Sequence, residues 1–139
     1  MDTIDRFDGE FSFLSNFYPS PVVLDGVAFP TVENAFQAAK TIDKQMRLAF
    51  ILITPGQSKR LGRAVELRAD WQDVKLSVMH DLLKLKFTSP DLRDKLLATG
   101  TATLIEGNDW DDMFWGVCRG VGENHLGKLL MRVREEIGH

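Results

Sequence analysis

The stretch FPTVENAFQAAK, residues 29–40, decides how the chain is read. Thr31 stands where a helix N-cap belongs, and Glu33 in the first turn suits the positive end of the helix dipole. The pattern predicts a helix over residues 32–41. At about 3.6 residues per turn, offsets of four and seven bring Glu33, Gln37 and Lys40 onto one side, beside an apolar stripe of Val32, Phe36 and Ala39. A carboxylate, an amide and an amine on one pocket wall would make a reactive site. The same spacing also describes a solvated helix face with an acid-to-amine pair, and the stretch alone leaves both readings open.

Working toward the N terminus, Val22-Val23-Leu24 and Val27-Ala28-Phe29 flank Asp25-Gly26. That dipeptide supplies the positive φ angles of a two-residue turn, so a β-hairpin precedes the helix. Residues 11–18 mix aromatics with small polar residues, predicting a short strand at residues 11–13 and an irregular loop carrying Ser15, Asn16, Phe17 and Tyr18. Toward the C terminus, helices are expected over residues 43–53, over 54–61 with Thr54-Pro55 as start and Gly62 as stop, over 71–87, and over 91–98 behind Ser89-Pro90. A strand at residues 103–105 and a last helix capped by Asn124 follow. The class is α+β: one domain over residues 1–139, mainly helical, with a small antiparallel sheet or hairpin.

A net charge of -3 argues against gripping nucleic acid by bulk charge and leaves a small ligand or one nucleotide as the easier partner. Cys118 is the only cysteine, so no intrachain disulfide can form; it reads as a core thiol in a reducing compartment. The polar start MDTIDRFDGE is no secretory signal, and the apolar run at residues 48–53 is far too short for a bilayer. A cytoplasmic protein with no membrane contact is expected. His80, His125 and His139 lack metal-ligand spacing, and His139, at the chain end, is not expected to be ordered.

Residues 106–116, EGNDWDDMFWG, set Glu106, Asp109, Asp111 and Asp112 among Trp110, Phe114 and Trp115. One reading is an acidic surface turn whose indoles dip into the core. The other is a site where rings stack on a planar ligand while a carboxylate, Asp112 by preference, faces the reacting atom. The Gly-rich run at residues 116–127 lacks the Lys-Ser/Thr ending of a P-loop, and neither a dinucleotide fingerprint nor a nucleophile elbow is present.

Six segments in order, FLSNFYPSPV (13–22), FPTVENAFQAAK (29–40), TPGQSKRLGR (54–63), LRADWQDVK (67–75), EGNDWDDMFWG (106–116) and GENHLGKLLMRVR (122–134), closely resemble the NADAR or YbiA-like family. The resemblance runs from about residue 11 to residue 136. It implies a small α+β protein and an N-glycosidase that cleaves a bond between ribose and nitrogen. The substrates it implies are ribosylamino-pyrimidine intermediates of riboflavin synthesis or ADP-ribose on a guanine base, including guanine in nucleic acid. No metal, organic cofactor or obligate protein partner is implied.

By the same resemblance, Glu33, Lys40 and Asp112 are the expected catalytic residues, and Ser15, Asn16, Phe17, Gln37, Arg63, Trp71, Trp115, Gly116 and Asn124 the expected substrate-binding ones. Cleaving a ribosyl C1′–N bond passes through an oxocarbenium-like state, which calls for negative charge near C1′, help for the departing nitrogen and a positioned water. Glu33 would activate the water or stabilise the cation, and Asp112 would hold hydroxyls or protonate the leaving group. Lys40 is either a Schiff-base nucleophile or a support for Glu33 or a phosphate. The competing reading is a non-catalytic module that binds ADP-ribose or a related nucleotide.

Overall fold

The hairpin and the helix behind it form as their turn and cap chemistry predicts. In this computed structural model, which describes residues 2–138, the elements in chain order are β1 (Thr3–Ile4), a 3₁₀ helix (Gly9–Leu14), β2 (Val22–Leu24), β3 (Val27–Phe29), α1 (Val32–Ala38), α2 (Lys44–Leu48), α3 (Pro55–Gly62), α4 (Trp71–Lys86), α5 (Pro90–Ala98), β4 (Thr103–Leu104), β5 (Gly107–Asn108), β6 (Val117–Cys118) and α6 (His125–Ile137). The expected α+β class is found. His139 lies outside the described residues. Among those described, no helix is long and apolar enough to cross a membrane.

The chain divides into two compact units, a central one of Asn16–Lys86 and a terminal one that joins the stretch up to Ser15 with the chain from Phe87 onward. In the central unit, β2 and β3 pair antiparallel with Val22 opposite Phe29 and Leu24 opposite Val27. Asp25 and Gly26 take the positive φ angles of 48° and 83° that the turn demands. The Thr31 hydroxyl accepts from Asn34 N and opens α1, whose seven residues are all buried. Val32, Ala35 and Phe36 build the core with Trp71 and Met79 of α4, and the Phe36 and Trp71 rings lie 5.0 Å apart.

Three local readings change. Residues 11–13 belong to a 3₁₀ helix, whose three-residue-back bonds include Phe11 N to Asp8 O at 2.9 Å and which buries Phe13 and Leu14. The helix expected to residue 41 stops at Ala38, where the chain tightens so that Lys40 N and Thr41 N bond the carbonyls three residues back, Gln37 O and Ala38 O. The helix expected over residues 43–53 shrinks to Lys44–Leu48; beyond it, Asn34 Nδ2 donates to the carbonyls of Phe50 and Ile53, both at 2.8 Å.

The terminal unit carries two pairings that the sequence left unread, both parallel: Ile4 of β1 opposite Leu104 of β4, and Asn108 of β5 opposite Cys118 of β6. Its core includes Phe13, Leu14 and Phe87 with Leu104, Leu130 and Val133. Cys118 is buried there, as a core thiol should be.

Lys86, at the end of α4, is almost wholly buried, with its ammonium 5.6 Å from the Tyr18 ring centre. Burial pushes its pKa down to about 7. Between that value and the ordinary lysine range the unfolded chain holds a proton that the folded chain has lost, so stability rises with pH across this window. Lys86→Met should therefore flatten the rise, removing a slope of up to about 1.4 kcal/mol per pH unit. Urea unfolding of both proteins from pH 6 to about pH 10 reads the difference; parallel slopes contradict it.

Candidate active site

Glu33 and Gln37 lie one helical turn apart on α1 and are both buried, 7% and 5% exposed. Their burial excludes a solvated face for these two residues. The Glu33 backbone N–H donates to Asn16 O at 3.1 Å, fixing the helix start to the loop before the hairpin. Gln37 Nε2 donates to Glu33 Oε1 at 3.0 Å. A buried carboxylate that accepts from a neutral amide is thereby held in one orientation.

Lys40 follows in the turn after α1, half-buried. Its backbone N–H bonds Gln37 O at 3.2 Å, a tightened continuation that keeps it beside the helix's polar side. Desolvation lowers the Lys40 pKa; the Glu33 carboxylate opposes that shift, while Arg63, Lys59 and Lys75 add to it. Arg63, Lys59 and Lys75 thus lie in electrostatic reach of Lys40 in the central unit, a cationic setting that favours an anionic ligand. Lys59 and Lys75 were not singled out in the sequence, since nothing in the spacing of α3 or α4 links them to Lys40.

Asn16 is buried; its Nδ2 lies 3.5 Å from Met79 Sδ, and its Oδ1 accepts no hydrogen bond from the described residues. Gln37 Oε1 and Ser58 Oγ share that condition. Phe17 and Arg63 are exposed, whereas Trp71 is a core ring against Phe36. Of the predicted residues, the central unit therefore brings together Glu33, Gln37, Lys40 and Asn16, with Arg63 in electrostatic reach of Lys40.

Ser15, Asp112, Trp115, Gly116 and Asn124 belong to the terminal unit. Asp112 Oδ1 accepts from Phe114 N at 3.2 Å and Trp115 N at 2.9 Å, so the Asp-x-x-Trp spacing is that of a side-chain-capped turn. Buried Asn108 holds the loop from inside: its Nδ2 donates to Asp112 O at 2.9 Å and to Glu106 Oε2 at 3.1 Å, and its Oδ1 accepts from Asp112 N. The carbonyls of Phe114, Trp115 and Gly116 accept from His125 N, Leu126 N and Asn124 N, which docks the loop on the first turn of α6.

Gly116 admits no side chain, since a Cβ would lie 2.1 Å from Glu106 O. Asn124 precedes α6 as expected, with a left-handed backbone, but its side chain makes no cap bond; it accepts from Glu106 N and donates to Leu104 O. His125, weighed in the sequence only as a metal ligand, is instead an aromatic neighbour, 4.4 Å from the Phe114 ring centre and 6.5 Å from that of Trp115.

Comparison with known proteins gives one consistent picture. A sequence model of the NADAR domain matches residues 5–138. The N-glycosidase YbiA of Escherichia coli strain K12 is 38% identical over 145 residues, which cover 99% of this chain and 90% of that protein. A riboflavin biosynthesis protein of Vibrio vulnificus is 36% identical over 135 residues, 94% of this chain but 36% of that longer one. The NMR structure of the E. coli protein YbiA superimposes with a TM-score of 0.86 at 38% identity, covering 99% of this chain and 86% of that one. The first of these names carries the activity that the motifs imply.

Proposed function

We propose that this chain, which belongs to the NADAR family, is an N-glycosidase that hydrolyses the bond between C1′ of a phosphate-bearing ribose and a nitrogen base. The observation that supports it most is the buried Glu33 carboxylate, oriented by Gln37 and coupled to Lys40, which Arg63, Lys59 and Lys75 reach in turn. The cations suit the substrate's phosphate, and the acid suits the positive charge that grows at C1′.

In the reaction, water adds its oxygen to C1′, the C1′–N bond breaks with its electron pair going to nitrogen, and the departing base gains a proton. Glu33 either takes the proton from the attacking water or faces the oxocarbenium-like carbon. Asn16, with a buried acceptor to offer, suits a ribose hydroxyl. The substrate classes are a ribosylamino-pyrimidine phosphate, in line with the relative named for riboflavin biosynthesis, and ADP-ribose on guanine. Incubation with each, followed by chromatography for free base, tests the reading; both substrates recovered intact after binding would leave a nucleotide-binding module instead. The lone buried Cys118 suits action in the cytoplasm.

The lowered basicity of Lys40 favours a second route. Its neutral amine would attack C1′ and expel the base, the ring would open to an imine, and water would then release the sugar. Borohydride added during turnover should trap one sugar per chain as a secondary amine at Lys40, seen by mass spectrometry of the protein. Full turnover with no adduct restricts Lys40 to supporting Glu33 and the phosphate.

A further inference from the structure

We infer that Gln37 is a positioning residue for Glu33 and that Gly62, on the facing helix, is the notch that holds it in place. The inference rests on the N-glycosidase reading and assigns a part of its machinery that neither the motifs nor the relatives' names specify. Gln37 is turned by its amide nitrogen to Glu33 Oε1 and by its amide oxygen to α3. A Cβ built on Gly62 would lie 1.9 Å from Gln37 Oε1 and 2.8 Å from its Cδ, and the next nearest atom is again Gln37's own Cβ. The missing side chain at position 62 is thus the room that the Gln37 amide occupies.

The oxygen in that notch is buried and accepts no hydrogen bond from the described residues. Leaving a carbonyl oxygen so is costly, and the arrangement spends that cost on presenting the amide N–H to the carboxylate. The N–H cannot be exchanged for the oxygen by a flip, because two acceptors would then face each other. Gly62 ends α3, where its backbone is ordinary and needs no glycine. What requires glycine there is Gln37. An alanine would meet Gln37 first, its amide far inside contact distance and its Cβ at 3.3 Å, so it should displace the amide.

A donor to an ionised carboxylate favours the charged form, so its loss raises the carboxyl pKa. Lys40 after α1 is the charged group coupled to this acid, Lys59 on α3, Arg63 at its C-cap and Lys75 on α4 act on Lys40, and all persist in the variants. The test measures the Glu33 carboxyl directly, by carbon-13 NMR titration of protein labelled at glutamate Cδ, in the wild type, Gln37→Met, Gly62→Ala and Ser58→Ala. Ser58, buried one turn earlier in α3, controls for disturbance of the helix interior.

The expected result is a Glu33 titration about one pH unit higher in Gln37→Met, shifted the same way in Gly62→Ala and unmoved in Ser58→Ala. In turnover, kcat should fall roughly tenfold with KM held within about threefold, and the acid limb should follow the NMR shift. Gln37→Met with Gly62→Ala should be no worse than Gln37→Met alone, since both act through one amide. An unmoved Glu33 titration in Gln37→Met overturns the inference whatever the turnover, and if Gly62→Ala does not fold, Gln37→Met decides alone. Wild-type protein that cleaves no N-riboside overturns the N-glycosidase reading instead, and the NMR titration still judges the pairing.

Discussion

Glu33→Gln is expected to lower kcat by about 10²- to 10⁴-fold while leaving KM within a few-fold of the wild-type value. The reason lies in how little else the substitution alters. Glutamine has the volume of glutamate, and its amide oxygen can still accept from Gln37 Nε2, so the buried contact of 3.0 Å has a substitute. The backbone bond from position 33 to Asn16 O is unaffected. What disappears is the negative charge and the proton acceptor, which the bond-breaking step uses and substrate binding does not. Steady-state kinetics at saturating substrate, with denaturant unfolding to show an intact fold, checks this. A loss confined to KM would make Glu33 a binding residue and move the chemistry elsewhere.

Asn34→Ala is expected to destabilise the chain by roughly 3 kcal/mol, more than an average substitution. Asn34 is wholly buried, and its amide supports two sides of the fold at once. Its Nδ2 donates to Phe50 O and Ile53 O, both at 2.8 Å, and its Oδ1 accepts the Thr31 hydroxyl at 2.6 Å. Alanine leaves two carbonyls and a hydroxyl without those partners, each unsatisfied buried group costing about 1–3 kcal/mol before relaxation and water entry offset part of it. Because these bonds seat α1 on the chain after α2, activity should fall only in step with unfolding. Urea midpoints with an unchanged m-value measure it. A loss under about 1 kcal/mol would mean that the two carbonyls find other donors.

The parts of the fold legible in the sequence are those whose causes are local. Asp25-Gly26 has one comfortable turn, and Thr31 has its acceptor three residues from the N–H that needs it. Lys40 shows the limit: its helical spacing places it on the helix, yet the helix ends at Ala38 and the chain tightens, with Lys40 N on Gln37 O and Lys40 O held by Arg68 N from a distant turn. The pairing of β1 with β4 joins residues near 3 and 103, and no pattern of two-residue strands could announce it. Position 62 is similar, since its glycine read as a helix stop, and its contact with Gln37 exists only once α3 packs on α1.

Much of the candidate site was visible in residue types, and its roles were not. Glu33, Gln37 and Lys40 were grouped from their spacing, but that spacing could not say whether the face was wet or buried. Burial decided it. Trp71 was expected to bind substrate and is packed in the core against Phe36. Asp112 sits three residues before Trp115, a spacing that fits a turn cap as well as a catalytic acid; the structure displays the cap.

Whether a bond breaks at all is answered by one measurement. Wild-type protein is incubated with a ribosylamino-pyrimidine phosphate and, separately, with guanine-linked ADP-ribose, and the products are quantified by mass spectrometry beside Glu33→Gln. A buried, amide-held carboxylate working at C1′ predicts free base and free sugar phosphate or ADP-ribose in equal amounts from at least one substrate, and almost none from the variant. Intact substrate recovered from a saturated wild-type protein, or equal release by both proteins, contradicts it.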